Sequence, residues 1–151
     1  MRVLICGGRD WPETDEYSNT VESLLSGLYE MHHIGMGLIH MSSFTLIEGC
    51  ARGADSVACR WGRGAPTHHE AGVVDGNWGV APFMHLHFPV LAKHWESHGK
   101  AAGPIRNRQM LEEGKPDVVY AFCYKEMGRG TANMVKIARE AGIPVFITYG
   151  G

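Results

Sequence analysis

The sequence has little net charge and no long apolar run, and each absence excludes a class of protein. Its 14 lysines and arginines stand against 16 aspartates and glutamates, which gives a formal net charge of −2. Because the positive and negative charges nearly balance, there is no overall electrostatic reason to bind nucleic acid or an anionic membrane. No stretch approaches the roughly 20 apolar residues that a membrane helix needs. We therefore expect no membrane association, and nucleic acid is an unfavoured partner.

Cysteine is scarce as well, and its spacing excludes two kinds of site. The four cysteines contain no C-x-x-C pair, so a zinc ribbon or a thioredoxin-type motif is excluded. The opening residues, M-R-V-L-I-C-G-G, are too short an apolar run for a secretory signal. These features predict a cytoplasmic protein with free thiols.

The residues that are present indicate an α/β protein. Twenty glycines among 151 residues, with 44% hydrophobic residues, favour a loop-rich α/β domain over a helical bundle. The length fits a single domain over 1–151. Apolar runs alternate with helix-like segments, which predicts a parallel sheet of about five strands with helices on both faces and strand order 3-2-1-4-5. The predicted strands are 2–6, 44–48, 84–89, 117–123 and 144–148, and the predicted helices begin near 12–15, 54, 102 and 131.

Two details of this pattern are open to a structural test. The first predicted helix has an apolar stripe formed by Val21, Leu24, Leu25 and Leu28, which Met31 extends. The segment from 62 to 80 shows no periodicity and is predicted to be an irregular surface excursion.

Three glycine-bearing loops follow predicted strands and converge on one edge of the sheet. They are Gly7-Gly8-Arg9-Asp10, the segment from Gly49 through Arg52 and Gly53 to Asp55, and Gly128-Arg129-Gly130-Thr131. In parallel sheets, ligands bind beyond the carboxyl ends of the strands at the topological switch point. Glycines let a backbone approach a ligand, and helix N-termini offer N–H groups to an anion. Each loop taken alone is equally explained as a plain turn with an N-cap. The sequence also lacks the P-loop and the G-x-G-x-x-G pattern.

Charged residues near these loops are candidates to bind the phosphate and the sugar of a ligand. Arg106, Asn107 and Arg108 share an early helical turn, and the arginine fork suits a phosphate, although a solvated helix face explains the same pattern. Asp10 and Asp55 each follow a glycine turn and are candidates for a ribose contact, a catalytic base or an N-cap.

The histidines, tryptophans and buried cysteines give weaker signals. His85 and His87 share one face of a strand, but a metal site needs three convergent ligands and the spacing does not supply them, so we predict no metal site. Cys6 is predicted to be a small core residue. Tryptophans are expected to pack in the core or at its rim, with Trp11 as the exception that is available to stack a base.

Four segments together resemble the SLOG superfamily, and most closely its YspA-like branch. They are V-L-I-C-G-G-R-D-W, I-E-G-C-A-R-G-A-D, G-K-A-A-G-P-I-R-N-R-Q-M and G-R-G-T-A-N-M. The resemblance implies a Rossmann-like three-layer α/β/α fold that binds nucleotides or their derivatives, without a further cofactor.

Two relatives within that superfamily imply different activities. The lonely-guy (LOG) family cleaves the N-glycosidic bond of nucleoside monophosphates and implies a homodimer. Its arginine falls at Arg106 and its Gly-Thr at Gly130-Thr131. Its Pro-Gly-Gly start reads Glu126-Met127-Gly128, and its closing glutamate is replaced by Met134. The loss of that carboxylate argues against LOG-type hydrolysis, because methionine supplies neither an anion nor a base. The DNA-processing protein A family binds single-stranded DNA, which the net acidic charge disfavours.

The sequence thus predicts a protein that binds or senses a nucleotide or a nucleotide-derived molecule, with N-glycosidic hydrolysis as the alternative. Asp10 and Arg106 are the candidate catalytic residues. The candidate binding residues are Gly7, Gly8, Arg9, Gly49, Arg52, Gly53, Asp55, Arg106, Asn107, Gly128, Gly130 and Thr131.

Overall fold

The computed structural model describes residues 1–33, 44–70 and 83–151. Strands and helices alternate along the chain, with two helices in succession before the fourth strand. The elements are β1 Arg2–Gly7, α1 Asp15–His33, β2 Phe44–Glu48, α2 Ala54–Glu70, β3 Phe83–His87, α3 Ala92–His98, a 3-10 turn at Gly99–Ala101, α4 Ala102–Gly114, β4 Val118–Tyr124, α5 Arg129–Glu140 and β5 Val145–Gly150.

The five strands form one parallel sheet in the order β3-β2-β1-β4-β5. This confirms the predicted fold class, a Rossmann-like α/β arrangement with strand order 3-2-1-4-5. Successive strands run outward from β1 to β3, and the chain then crosses to β4 on the other side of β1. The carboxyl ends of β1 and β4 therefore flank the point where the winding reverses, which is where such sheets bind ligands.

The central strand is buried on both faces, so each face carries its own core. Val3 and Ile5 pack with residues of α1 and α2, whereas Leu4 and Cys6 pack with residues of α4 and α5. Side chains alternate between the faces of a strand. The short β-branched and aliphatic run of β1 thus lies between two helical layers, and the glycine loop follows directly at its carboxyl end.

The predicted excursion at 62–80 is wrong in its first half, because α2 continues to Glu70. Gly62, the first residue of the predicted excursion, lies within α2, where the absence of a side chain is needed for packing. A Cβ at that position would lie 2.8 Å from Leu46 Cδ2 and 2.9 Å from the His85 ring. The glycine therefore lets α2 lie close over β2 and β3. Residues 71–80 of the predicted excursion lie outside the described part of the chain.

Two further details of the helices differ from the sequence analysis. Met31 does not extend the apolar stripe of α1, since 64% of its surface is exposed. The buried side of that helix runs through Val21, Leu25 and Tyr29, and Met31 lies two residues, or about 200°, beyond Tyr29. Helix α3 was not predicted, because none of its residues is buried and it leaves no apolar period. Among the described residues, every helix is too short or too polar to cross a bilayer.

Candidate functional site

A cavity of about 660 Å³ opens at the carboxyl ends of β1 and β4. Its walls are the loop after β1, the first turns of α4 and the start of α5. Ten of the residues singled out in the sequence line it: Gly7, Gly8, Arg9, Asp10, Asp55, Arg106, Asn107, Gly128, Gly130 and Thr131.

Three of the predicted binding residues are not among those that line the cavity. Gly53 has a φ of +85°, and a Cβ there would come within 2.3 Å of the Gly8 carbonyl oxygen, so it seats α2 against the loop after β1. Gly49 lies behind the wall, where a Cβ would meet the Arg106 guanidinium at 2.1 Å. Arg52 is exposed.

The N-terminus of α5 faces this cavity without a cap. Its N-cap residue, Gly128, has no side chain to accept a hydrogen bond, and the first helical bond is donated by the Ala132 N–H to the Gly128 carbonyl at 2.9 Å. The three preceding N–H groups have no intrahelical partner. The Thr131 hydroxyl in the same turn is buried and has no hydrogen-bond partner in the described structure. This turn therefore presents unsatisfied donors and a partial positive charge.

Two glycines in this turn have no structural requirement for glycine. A Cβ added at Gly128 or at Gly130 would meet no atom within 4 Å. Neither residue has a positive φ. Close packing and backbone conformation, which explain Gly53, therefore do not explain these two. Absence of a side chain still leaves the backbone N–H groups open to close approach by a ligand.

Asn107 fixes the position of this turn. Its side-chain amide donates to the Gly130 carbonyl and to the Asn133 side-chain oxygen, both at 3.0 Å, and Asn107 is only 3% exposed. The amide therefore ties α4 to the first turn of α5. Its role in this geometry is to hold the α5 N-terminus against α4.

Arg106 is engaged with the backbone more than the sequence analysis expected. Its Nη1 donates to the Gly49 carbonyl at 2.7 Å and to the Phe88 carbonyl at 3.4 Å, and its Nε donates to the Asn107 side-chain oxygen at 3.1 Å. The guanidinium thus satisfies carbonyl groups just beyond the ends of β2 and β3. Arg106 therefore lines the cavity, but part of its hydrogen-bonding capacity is used to hold these strand ends to α4.

Comparison with known proteins gives a full-length relative. The chain is 36% identical over 151 residues to the Gene 61 protein of Mycobacterium phage D29, and the match covers 99% of this chain and 96% of that protein. The chain belongs to the family of that phage protein. No model of a protein family matches the chain, and no solved structure matches it at a significant level. The name of that relative states no activity.

Burial alters the acidity of Asp55, one of the residues that line the cavity. It is 3% exposed, and its Oδ2 accepts a hydrogen bond from the Gly49 N–H at 3.0 Å. Burial raises its pKa to about 7, although nearby Arg106 and the backbone N–H bonds oppose the rise; the carboxylate of Glu48 adds to it. A carboxyl group with a pKa near neutrality can both accept and donate a proton at physiological pH.

The remaining candidates from the sequence lie in different settings. Asp10 is an exposed residue on the loop after β1, positioned so that a Cβ at Gly8 would collide with its Oδ1 at 2.2 Å. Trp11 does not stack at the cavity, which corrects the expectation for this residue. It is 2% exposed and packs edge-on against Tyr17 and Phe122.

Met134 lies on the buried side of α5 and is fully buried. The position matched to the LOG glutamate therefore belongs to the core.

Three residues with a positive charge or an aromatic ring line the cavity but are not among the candidates from the sequence. They are Trp95, Lys100 and Arg129. Trp95 is 38% exposed, and the Arg9 guanidinium lies 5.7 Å from its ring centroid. Trp95 lies on α3, which carries no periodic signal. Lys100 lies in the 3-10 turn and belongs to the quoted segment G-K-A-A-G-P-I-R-N-R-Q-M. Arg129 stood in the quoted motif, where its helix-start position was the available signal.

Proposed function

We propose that the chain binds a nucleotide or a nucleotide-derived small molecule in the cavity between β1 and β4, with a phosphate at the N-terminus of α5. The observation that carries this proposal is the uncapped first turn of α5, with two glycines that neither packing nor backbone conformation requires. Helix N-termini of this kind bind phosphate through free N–H groups and the helix dipole.

The cavity also has the size and composition that such a ligand needs. Its volume of about 660 Å³ falls within the roughly 300–1,000 Å³ of small-molecule sites. Arg9, Lys100 and Arg129 add positive charge around the phosphate position. Trp95 offers a partly exposed aromatic surface for a base, and the Asp10 carboxylate is an acceptor for ribose hydroxyls. The resemblance to the SLOG superfamily supports the same ligand class.

A comparison of ligands that differ only in phosphate tests the proposal. We expect adenosine monophosphate or ADP-ribose to raise the melting temperature and to bind by calorimetry, and adenosine to bind more weakly. Thr131→Val removes the unpartnered hydroxyl and should weaken monophosphate binding by roughly 10- to 150-fold, the equivalent of about 1.5–3 kcal/mol for a hydrogen bond to a charged group.

The matched control is Thr20→Val, which changes an exposed threonine whose hydroxyl bonds the Glu16 carbonyl within α1. Its binding should equal that of the unaltered protein. Equal affinity for adenosine and its monophosphate, or unchanged binding by Thr131→Val, would refute a phosphate site at this turn.

Hydrolysis of an N-glycosidic bond is a second candidate, favoured by the protonation behaviour of Asp55. A buried carboxyl with a pKa of about 7 at the cavity has the property of a general acid for a departing base. Product analysis after incubation with nucleoside monophosphates tests this candidate. Free base that Asp55→Asn abolishes would support it, and no release by the unaltered protein would leave binding as the function.

A further inference from the structure

Four metal-ligating side chains converge on the face of the sheet that packs against α2. They are Glu48 on β2, Cys59 on α2, and His85 and His87 on β3. One ligand atom from each lies within 4.8 Å of the other three. This group is separate from the cavity, because none of its members lines that space.

The strand register and the path of α2 explain the convergence. In the β2–β3 pairing, His85 lies beside Leu46 and His87 beside Glu48. Residues two apart on a strand share a face, so both rings point to the same side as the Glu48 carboxylate. Cys59 lies three residues before Gly62, on the same side of the helix, and Gly62 makes room for the His85 ring.

The spacing of the ligand atoms suits a tetrahedral zinc ion. Glu48 Oε1 lies 3.0 Å from His85 Nε2 and 3.4 Å from His87 Nδ1. Zinc bonds of 2.0–2.3 Å imply tetrahedral edges of roughly 3.3–3.8 Å. The two histidine contacts are therefore already close to these edges, and the longest separation in the group needs to shorten by about 1 Å.

The chemistry of the group also fits zinc. Two imidazoles, a thiolate and a carboxylate are its preferred donor types, and the two anions neutralise its double charge. The other oxygen of Glu48 accepts a hydrogen bond from the Cys50 N–H, which leaves Oε1 for a metal. Outer hydrogen bonds of this kind orient metal ligands. The Glu48 carboxylate is hydrogen-bonded to His85 and lies 3.4 Å from His87 Nδ1, but neither contact explains why the thiol of Cys59 lies beside them. The Sγ of Cys59 also lies 3.9 Å from that of Cys50.

We propose that Glu48, Cys59, His85 and His87 bind one zinc ion. This assignment replaces the sequence-based expectation of no metal site. With four protein ligands the site is closed to substrate, which is the arrangement of a structural site. It joins the edge strand β3 and helix α2 to β2. The side chain of His87 is 42% exposed, whereas that of Glu48 is fully buried, so the metal enters past His87.

Cobalt substitution tests the proposal directly, because cobalt shows thiolate coordination in its absorption spectrum. Metal-stripped protein should bind one Co²⁺ per chain, with a thiolate charge-transfer band and the visible bands of a tetrahedral ion. Zn²⁺ should displace it. Cys59→Ser should abolish the charge-transfer band, and His87→Gln should weaken binding at least tenfold, since even loss of an outer hydrogen-bond partner costs about 10- to 100-fold.

Two control variants make the assignment specific. Cys50→Ser changes a neighbouring thiol whose Sγ lies 3.9 Å from that of Cys59, and its backbone N–H is retained. His98→Gln changes an exposed histidine at the end of α3. Both should bind Co²⁺ like the unaltered protein. A band that disappears in Cys50→Ser and persists in Cys59→Ser would overturn the ligand set.

The unaltered protein alone also decides the question, so the test does not depend on any variant that fails to fold. Metal-stripped protein that shows a native circular dichroism spectrum but no thiolate band at saturating Co²⁺ would refute the site. Because the readout is metal coordination, this result would leave the nucleotide proposal untouched.

Discussion

Replacing Gly130 by alanine should have opposite effects on stability and on ligand binding. Gly130 is the second residue of α5, is exposed, and lines the cavity. A Cβ added there would meet no protein atom within 4 Å. The methyl group therefore strains nothing in the folded chain, and alanine loses less backbone entropy than glycine when a helix forms. In the ligand complex, the same methyl group stands beside the N–H groups that we propose bind phosphate.

The two magnitudes come from different sources. Alanine in place of glycine in a helix contributes about 0.5–1 kcal/mol to the free energy of unfolding, and a first-turn position should realise at most that gain. An inserted methyl group in a close contact typically costs about 1–3 kcal/mol, which corresponds to a roughly 5- to 150-fold loss of affinity. Gly27 provides the matched control. It is an exposed glycine within α1 whose Cβ would also meet nothing within 4 Å.

Urea denaturation and calorimetric titration of the two variants measure both effects. Gly27→Ala should raise the unfolding free energy and leave the nucleotide dissociation constant unchanged. Gly130→Ala should be at least as stable as the unaltered protein and bind a nucleoside monophosphate more weakly. A Gly130→Ala protein with unaltered affinity would show that phosphate does not approach this turn. A clear loss of stability would show instead that the glycine is structural.

Three further predictions concern single side chains. Arg106→Ala leaves the backbone carbonyls beyond β2 and β3 unpaired and should lower the unfolding free energy by about 1–3 kcal/mol. Urea denaturation of this variant measures the loss, and the exposed Arg108→Ala variant is the control. Because burial raises the pKa of Asp55 from 3.8 to about 7, the folded state holds a proton that the unfolded state releases, so stability should fall as pH rises from 3.8 to 7 and then level off. The fall is at most about 4 kcal/mol, at 1.36 kcal/mol per pKa unit, and Asp55→Asn should remove this slope in urea midpoints measured against pH. Met134→Glu buries an unpaired carboxylate and should lower the melting temperature without creating base release from adenosine monophosphate, whereas a stable variant that releases base would show that this position faces the site.

The fold could be predicted because its signals are local. Each strand is a short apolar run that ends in glycine or a polar loop, and strands that alternate with helices restrict the sheet to parallel orders. The loops at Gly8 and Gly128 could be assigned to the same edge for that reason. The sequence could not separate glycines required by packing, such as Gly53 and Gly62, from those that face a cavity. That distinction depends on atoms from other elements.

Features that depend on pairing between distant elements were not visible in the sequence. His85 and His87 were recognised as sharing a strand face, but their partners Glu48 and Cys59 are far away in the chain. Only the register of β2 against β3 and the path of α2 bring the four together. Trp95 was missed for another reason: it lies on a helix with no buried residue, and such a helix has no apolar period to detect.

The segment from Glu48 to Asp55 belongs to both proposed sites, and this predicts that zinc and nucleotide binding are coupled. Glu48 is a proposed zinc ligand, and Gly49 is the next residue. The Gly49 carbonyl accepts a hydrogen bond from Arg106, and the Gly49 N–H donates one to Asp55. A shift of Glu48 towards a metal therefore moves the backbone that holds two cavity residues. If zinc changes the affinity for nucleotide by some factor, then nucleotide must change the affinity for zinc by the same factor. Calorimetric titration of nucleotide into zinc-loaded and metal-stripped protein measures this factor, and Cys59→Ser should show no zinc effect. Identical nucleotide affinities in the two forms would show that the segment does not transmit the shift.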